Sequence, residues 1–536
     1  MRSETQHTDD GGEATALDAL AATAAEFGVP LLDLSAFDHA SIPKGLLDEE
    51  TIRRYRVLPL ARRSGRLSIA IADPADLALL DEIKFHAGAD ITGVLVQKAA
   101  LGIAIERYCA GRGDRELAEL EGDDASPAAA SFGTSERAVD EAPIVKYVHE
   151  VLADAVAAGA SDIHFEPYEN VYRIRVRVNG ILREASRPPS SVGPRLAARL
   201  KVMSDLDVTE RRVPQDGRIK FSLAASSGKP DTVDFRVSSL PTMHGEKMVL
   251  RILDQSSARL DVDQLGMEDD QRDRYLGALD QPQGMILVTG PTGSGKTVSL
   301  YAGLKRLNNE QRNIATAEDP VEINIEGINQ VQVNSRVGLD FATALRAFLR
   351  QDPDVVMVGE VRDRDTADTA VKAAQTGHLV LSTLHTNSAA ATLGRLRAMG
   401  VPAFNVATSV TLIVAQRLAR VLCPACRRPF PLSAEVLLDE GFGETDVGAG
   451  IETFDAFEDG CPRCDHGYEG RTGIYEVVAV TPALRRLILE DASALELSAA
   501  ARASGFLDLR GAGLNKVKRG ITSLREINRV TARGES

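Results

Sequence analysis

Eight consecutive residues form the clearest chemical pattern in this chain. In order they are Gly290, Pro291, Thr292, Gly293, Ser294, Gly295, Lys296 and Thr297. They fit G-x-x-x-x-G-K-[ST] at every fixed position, between an apolar strand and a helix-compatible stretch. Glycines let such a loop point backbone N–H groups at phosphate oxygens, Lys296 can span the β- and γ-phosphates, and the Thr297 hydroxyl can ligate Mg²⁺. The segment therefore predicts a cofactor site for ATP with magnesium.

Acidic residues follow two short apolar strands further along the chain. Glu360 comes just after the strand in Asp354–Glu360, with Gly359 in the place where an acid usually stands. Glu318–Glu322 is a second acidic cluster, again after a strand. Hydrolysis of a phosphate needs a positioned water and neutralisation of charge, which such carboxylates could supply. Each cluster could equally be a solvated loop.

Histidines and arginines give weaker signals near these acids. His378 and His385 flank the strand within Thr376–Thr386 and could sense or donate to a phosphate, or could be structural. Metal ligation by them is not expected, because no further His or Cys is close in sequence. Arg346 and Arg350 are four residues apart and share a helix face, which could reach a phosphate or simply face solvent.

Four of the five cysteines fall into two C-x-x-C pairs. They are Cys423, Cys426, Cys461 and Cys464, and 34 residues separate the two pairs. Two such knuckles can bring four thiolates to one tetrahedral point, which predicts a structural Zn²⁺ site rather than a redox dithiol. The fifth, Cys109, is expected to be an ordinary thiol.

Apolar strands, each followed by a helical pattern, place these residues in an α/β fold. The predicted strands are Met285–Thr289, Asn313–Thr316, Val355–Val358 and Leu379–Thr383, and a helical tail runs from Pro482. Strands alternating with helices predict a mostly parallel sheet. Carboxylates and histidines at the strand ends would then lie near the phosphate-binding loop.

Changes of pattern divide the chain into four parts. Residues 1–110 are expected to form a small α+β domain, and residues 143–256 a second α+β domain with a hairpin turn at Gly180. Between them, residues 111–142 hold nine acidic and three basic residues, which predicts a flexible linker. Residues 257–536 would carry the α/β domain, with the cysteines in an insertion at 423–475.

Composition limits the class of protein. The chain has 536 residues with 62 Lys and Arg against 77 Asp and Glu, a net charge of −15. That composition excludes a fibrous or wholly disordered chain, and the acidic balance argues against nucleic-acid binding. Residues 1–30 show no basic segment followed by an apolar one, so no secretion signal is expected. The longest uncharged run, Ala398–Gln416, is interpreted as a buried core helix, not a membrane span.

Taken together, these motifs resemble the ATPase superfamily of type II and type IV secretion machines. The resemblance covers nearly the whole chain from about residue 30. The matching segments are Thr316–Glu322 (Asp box), Asp354–Arg362 (Walker B), Thr376–His385 (His box), Ser161–Pro167, Arg211–Arg218, Arg236–Arg251 and the cysteine region ending in Gly470–Glu476. The cysteines and the long N-terminal part resemble the pilus-extension and secretion branches rather than the retraction branch.

This resemblance implies a fold and an activity. It implies a RecA-like motor domain preceded by a PAS-like domain, assembled as a homohexamer that hydrolyses ATP to ADP and phosphate in the cytoplasm. The expected role is type IV pilus assembly through an integral inner-membrane platform protein, and type II protein secretion is the alternative. A RecA-like nucleic-acid motor and a non-hydrolysing scaffold are further rivals, which a DNA-stimulated ATPase assay and measured turnover would separate.

The resemblance also implies roles for single residues. Glu360 would be the catalytic carboxylate, and Glu318 would organise Mg²⁺ and water. The four arginines expected to contact the phosphates are Arg236, Arg251, Arg346 and Arg350, and the His box contributes His378 and His385. Many relatives have a longer N-terminal module that binds a cyclic dinucleotide, but no full copy of its repeated motif is visible, so that ligand is not predicted.

Overall fold

A computed structural model describes most of the chain after residue 142 and parts of it before. The described residues are 23–32, 34, 47, 51–52, 55–63, 66–73, 84, 90–109, 142–223, 231–253, 261–461 and 463–531. The predicted linker at 111–142 therefore lies outside the described residues, apart from Ala142. Contacts group the chain into two compact units, residues 1–177, 182–219 and 237–250 in one, and 178–181, 220–236 and 251–536 in the other.

The N-terminal part is α+β, as predicted. Its described elements are β1 (Leu58–Arg63), β2 (Arg66–Ile71), β3 (Asp90–Leu95) and α1 (Lys98–Cys109). β1 pairs antiparallel with β2, and β3 pairs parallel with β2. Ile69, Leu95 and Leu101 are among the buried residues that form a separate core, because the helix covers one face of this small sheet.

A six-stranded sheet follows, and it is also α+β. Its elements are α2 (Ala142–Ala157), β4 (Ala160–Pro167), β5 (Tyr172–Val178), β6 (Ile181–Ser186), α3 (Gly193–Met203), β7 (Gln215–Leu223), β8 (Asp231–Thr242) and β9 (Gly245–Leu253), with a short 3₁₀ turn at Ser190–Val192. The strand order is β6-β5-β4-β9-β8-β7. Asn179 and Gly180 both have positive φ, which matches the predicted hairpin turn between β5 and β6.

The largest sheet has seven strands and carries the phosphate-binding loop. Its elements are a 3₁₀ turn at Val262–Gln264, α4 (Asp269–Leu279), β10 (Gly284–Thr289), α5 (Lys296–Leu307), β11 (Ile314–Glu318), β12 (Asn329–Gln332), a 3₁₀ turn at Ser335–Val337, α6 (Phe341–Phe348), β13 (Val355–Val358), α7 (Arg364–Gln375), β14 (Leu379–Leu384), α8 (Ala389–Ala398), α9 (Ala403–Ser409), β15 (Val410–Leu422) and β18 (Tyr468–Ala479). The strand order is β12-β11-β13-β14-β10-β15-β18.

Every strand pair in this sheet is parallel except the last. β10 lies between β14 and β15 and is parallel to both, and only β15 with β18 is antiparallel. All six residues of β10 are buried, since helices cover both faces of the sheet. The predicted parallel α/β architecture is confirmed, and the carboxyl ends of β11, β13, β14 and β10 meet along one edge.

The cysteine region and the last two helices of the tail lie at the far end of β15 and β18, whereas the first two helices of the tail pack against the main core of the sheet. They contain β16 (Arg428–Pro429), α10 (Ala434–Asp439), α11 (Glu444–Gly448), β17 (Phe454–Asp455), α12 (Pro482–Leu489), α13 (Ala494–Ala503), α14 (Leu509–Lys518) and α15 (Leu524–Val530). Ala419, Ile474, Val517 and Ile527 are among the residues of its own small core. The helical tail from Pro482 is confirmed.

The uncharged run Ala398–Gln416 is not one helix. It contains the short α9 and then the first half of β15, so the prediction of a single buried helix was wrong. The reason is that Val410, Ile413 and Val414 are branched and extended, and they pack between β10 and β18 rather than around a helix axis. Among the described residues, no helix has both the length and the apolarity to span a membrane.

Candidate nucleotide-binding and catalytic site

The phosphate-binding loop connects the carboxyl end of β10 to the start of α5. Gly290, Gly293 and Gly295 have φ of 149°, 78° and 88°, which side chains rarely tolerate. At Gly290 an added Cβ would also lie 2.5 Å from the Gln416 carbonyl oxygen. The sequence therefore needs glycine for both backbone direction and close approach, and α5 directs its positive N-terminal end at the loop.

Lys296 is folded back onto its own loop. Its Nζ donates to the carbonyl oxygens of Gly290 (2.9 Å) and Pro291 (3.1 Å). Burial lowers the pKa of Lys296, and the nearby Glu360 carboxylate acts in the opposite direction. The ammonium is thus held by weak neutral acceptors that a phosphate oxygen, as a charged acceptor, can replace.

Glu318 ends β11 and is buried, with 3% of its surface exposed. Its Oε1 accepts hydrogen bonds from Thr316 Oγ1 (2.6 Å) and Gln330 Nε2 (3.1 Å), and its Oε2 accepts from the Tyr301 hydroxyl. Protein donors therefore fix both carboxylate oxygens. The side chain is held rigidly at the strand end next to that of β13.

Glu360 lies two residues past β13 and has charged partners. It forms an ion pair with Arg362, and His385 Nε2 lies 3.4 Å from its Oε2. Arg362 also pairs with Asp319 at 3.5 Å, so one guanidinium joins the acids that follow β11 and β13. The Arg362 and His385 side chains are each more than half exposed, so these contacts can open toward a ligand.

The predicted histidines lie at opposite ends of one strand. His385 follows β14 at the edge that carries the loop and Glu360. His378 precedes β14, and its Nδ1 lies 3.0 Å from the Ala373 carbonyl oxygen, to which it donates in the tautomer with the proton on Nδ1. Six residues of extended strand separate them, about 20 Å. The structure brings His385 to the site but not His378.

The predicted arginines lie in two different places in the structure. Arg236 on β8 pairs with Glu322 at 3.2 Å, which joins it to the acidic segment after β11. Arg251 lies on the adjacent strand β9. Arg346 lies in the last turn of α6, and Arg350 Nη1 donates to the Arg346 carbonyl oxygen, beside the segment that leads into the amino end of β13. That end is opposite to the phosphate-binding loop.

Three residues of the site were not predicted from the sequence. Gln416 on β15 is 1% exposed, donates to the Ser294 carbonyl oxygen (2.6 Å) and accepts from Ser299 Oγ (2.8 Å), so it supports the loop from the neighbouring strand. Tyr301 and Arg362 hold Glu318 and Glu360. A lone glutamine in the apolar strand Val410–Leu422 was a usable signal, because a buried amide needs partners.

The four cysteine sulfurs form a compact cluster. Cys423 Sγ lies 3.7 Å from Cys461 Sγ, Cys426 Sγ lies 3.5 Å from Cys464 Sγ, and all four lie within 4.8 Å of one another. Four thiolates around Zn²⁺ at about 2.3 Å would be roughly 3.8 Å apart, so the donor set and its spacing fit a closed zinc site. A backbone hydrogen bond from Arg463 lowers the pKa of Cys461.

Comparison with known proteins adds to this geometry. The family model described as type II/IV secretion system protein matches residues 137–529, more than half of the chain. The chain belongs to that family. A second model, the MshEN domain, matches residues 27–115 at the N-terminal α+β part. The predictions of the family and of a P-loop ATPase are confirmed.

Curated relatives match along most of the chain. The type IV pilus assembly ATPase PilB of Pseudomonas aeruginosa is 53% identical over 95% of this chain and 90% of its own length. The type II secretion system ATPase E of Vibrio cholerae is 48% identical over 73% of this chain and 76% of its own. Among solved structures, the ATPase DotB of Yersinia pseudotuberculosis superposes with a TM-score of 0.52 at 19% identity, over 72% of this chain and 93% of that one. This last likeness concerns the fold alone.

Proposed function

We propose that this protein hydrolyses ATP to ADP and phosphate to power type IV pilus assembly. One observation carries the proposal: Glu318 ends β11, and Glu360, His385 and the phosphate-binding loop follow β13, β14 and β10, so that all of them lie at the carboxyl ends of four neighbouring parallel strands. A nucleotide in the loop would have its γ-phosphate at this edge, next to the carboxylates. The 53% identity to a pilus-assembly ATPase over 95% of the chain supports the biological role.

Each residue of the edge has a proposed task. Loop N–H groups and Lys296 would bind the β- and γ-phosphates, and Glu360 would orient the attacking water and accept its proton. Glu318 would fix the arrangement around the magnesium site, and His385 would report the presence of the γ-phosphate to Glu360. Arg236 and Arg251 remain proposed phosphate contacts, and Arg346 and Arg350 are proposed only through the resemblance, since they lie at the end of the sheet opposite to the loop. His378 is proposed only through the resemblance, since its strand end faces away from the loop.

Two metal sites accompany the proposal. Thr297 would hold Mg²⁺ through its hydroxyl, and that ion would neutralise charge on the β- and γ-phosphates. Cys423, Cys426, Cys461 and Cys464 would hold Zn²⁺ in a structural role, because four thiolates leave no open position for chemistry.

Membership of the family supports a proposal for the assembly and its location. We propose a homohexamer at the cytoplasmic face of the bacterial inner membrane, where it acts on an integral platform protein. We keep the domain division proposed from the sequence, with an N-terminal domain at 1–110, a linker at 111–142, a PAS-like domain at 143–256 and a RecA-like motor domain at 257–536.

Type II protein secretion is the second candidate function. It is favoured by the 48% identity to a secretion ATPase of Vibrio cholerae, and its motor would contain the same edge of carboxylates. The pilus role is preferred because the match to the pilus ATPase extends over 95% of the chain rather than 73%.

ATP turnover by the purified protein tests the activity. Lys296→Ala should lower kcat by about 10²-fold or more, because it removes a cation from the developing phosphoryl charge. Lys305→Ala is the matched control, since this lysine is on the same helix but pairs with Asp261 on the surface. Turnover in the Lys296 variant equal to that of the Lys305 variant would refute the assignment.

A further inference from the structure

A buried tyrosine contacts Glu318, one of the residues proposed to take part in ATP hydrolysis. Tyr301 lies on α5, the helix that starts at the phosphate-binding loop, and only 1% of its surface is exposed. Its hydroxyl donates to Glu318 Oε2. We propose that Tyr301 is a positioning residue for ATP hydrolysis, which fixes the Glu318 carboxylate relative to the phosphate-binding loop. This inference rests on the proposed function.

The Tyr301 hydroxyl lies where β11 ends and the acidic loop after it begins. Besides donating to Glu318, the Tyr301 hydroxyl lies near the backbone N–H groups of Ile323 and Glu322, which act to lower the pKa of Tyr301. Burial and the charge of Glu318 both raise the pKa of Tyr301, so the hydroxyl keeps its proton and stays a donor throughout the neutral range. The tyrosine therefore connects α5 to the end of β11 through Glu318, and Gln330 connects Glu318 to the loop that follows.

The same connection extends to Arg236. The Glu322 carboxylate, in the loop after Glu318, pairs with Arg236 at 3.2 Å. Gln330 strengthens that loop, because its amide donates to the Ile323 carbonyl oxygen and accepts from the Ile325 N–H. A shift of α5 on nucleotide binding would thus be passed to Glu318 and to the arginine partner together.

The other donors to Glu318 do not provide this connection. Thr316 and Gln330 both donate to Oε1, and neither is part of α5. Loss of the tyrosine hydroxyl would leave Oε1 bound while Oε2 loses its donor, so the carboxylate could turn away from its working orientation. The expected defect is in the chemical step and not in the binding of nucleotide.

Tyr301→Phe tests the proposal, with Tyr275→Phe as the matched control. Tyr275 is also fully buried in the same unit, but its hydroxyl donates to the Ser299 carbonyl oxygen rather than to a carboxylate. We would measure kcat and KM for ATP, affinity for a non-hydrolysable ATP analogue with magnesium, and the melting temperature of each full-length variant.

Tyr301→Phe should lower kcat about 10- to 100-fold while KM and analogue affinity change less than about threefold. Tyr275→Phe should keep kcat within about twofold of wild type. In a Glu318→Gln background, which should itself be slow, Tyr301→Phe should cause no further loss, because it acts through that carboxylate.

Other outcomes reject the proposal. They are an unchanged kcat in Tyr301→Phe, an equal loss in Tyr275→Phe, additive losses in the Glu318→Gln background, or a Tyr301→Phe protein that is unfolded when Tyr275→Phe is folded, since the hydroxyl would then be structural. These results are distinct from failure of the proposed function, which would show as a wild-type protein without ATP turnover.

Discussion

At the scale of single residues, the two proposed catalytic acids are held in different ways. Glu318 has neutral donors on both oxygens and is buried, whereas Glu360 has the exposed, charged partners Arg362 and His385. Neutral buried bonds fix a direction, and exposed ion pairs contribute little and exchange easily. The structure therefore suits Glu318 to a fixed task and Glu360 to one that changes during the reaction cycle.

A third carboxylate, Glu166, is surrounded by cations and shows how charge stabilises the six-stranded sheet. Its side chain is 3% exposed and accepts from Arg175 (2.8 and 2.9 Å) and Lys247 (2.9 Å). Burial alone would raise the pKa of Glu166, but the hydrogen bonds from Arg175 and Lys247 outweigh it and hold that pKa at about 2.

This lowered pKa predicts a pH dependence of stability. The contribution of Glu166, up to about 3 kcal/mol, is complete above the ordinary value near 4.5 and is lost as pH falls toward 2. Glu166→Gln should therefore be less stable than wild type at pH 7 and lose less on acidification to pH 3. Urea unfolding at pH 7 and pH 3 measures the free energy of unfolding of each variant. Glu184→Gln is the control, because the Glu184 carboxylate is exposed and pairs with Arg187. Parallel pH curves for wild type and Glu166→Gln would contradict the prediction.

Sequence patterns located the loop at 290–297, the acids and the cysteines, because each is defined by neighbours in the chain. Gln416 and Tyr301 were missed since their partners lie more than 100 and 17 residues away, at distances that only the folded sheet brings together. His378 and His385 look equivalent in the sequence. Only the direction of β14 separates them.

At the scale of elements, the parallel strands could be predicted from the sequence, but the change from helix to strand within Ala398–Gln416 could not. β10, β13 and β14 follow from short apolar runs between helices, and the structure reproduces them. Within Ala398–Gln416 a seven-residue helix is followed by a strand. The absence of charged residues in this run does not tell a helix from a strand. Pairing with β10 and β18 decides the outcome, which is a non-local effect.

Removal of one cysteine should release zinc from the region that the four cysteines hold together. Cys423→Ser should lose zinc and loosen the region from Leu422 to Tyr468, because the remaining thiolates cannot complete a tetrahedral site. Elemental analysis and limited proteolysis would measure both effects, and Cys109→Ser should retain the metal. Zinc content unchanged in Cys423→Ser would be the contrary result.

At the scale of the whole molecule, the biological role can be tested in the source bacterium. Deletion of the gene should remove surface pili, wild type should restore them, and Lys296→Ala should not, although the variant protein is present. Secreted protein levels in the same strains are the comparison. Lost secretion with normal pili would move the assignment to the type II secretion alternative.

The antiparallel pair β15 and β18 has a mechanical consequence. Gln416 contacts the phosphate-binding loop, and Cys423 follows seven residues later, which is about 23 Å along an extended strand. If the two paired strands move as one rigid body, they would carry a rotation at the phosphate-binding loop to the cysteine cluster. A rotation of about ten degrees at the loop would displace the cysteine cluster by about 4 Å, so a small change at the loop becomes a larger movement at the surface.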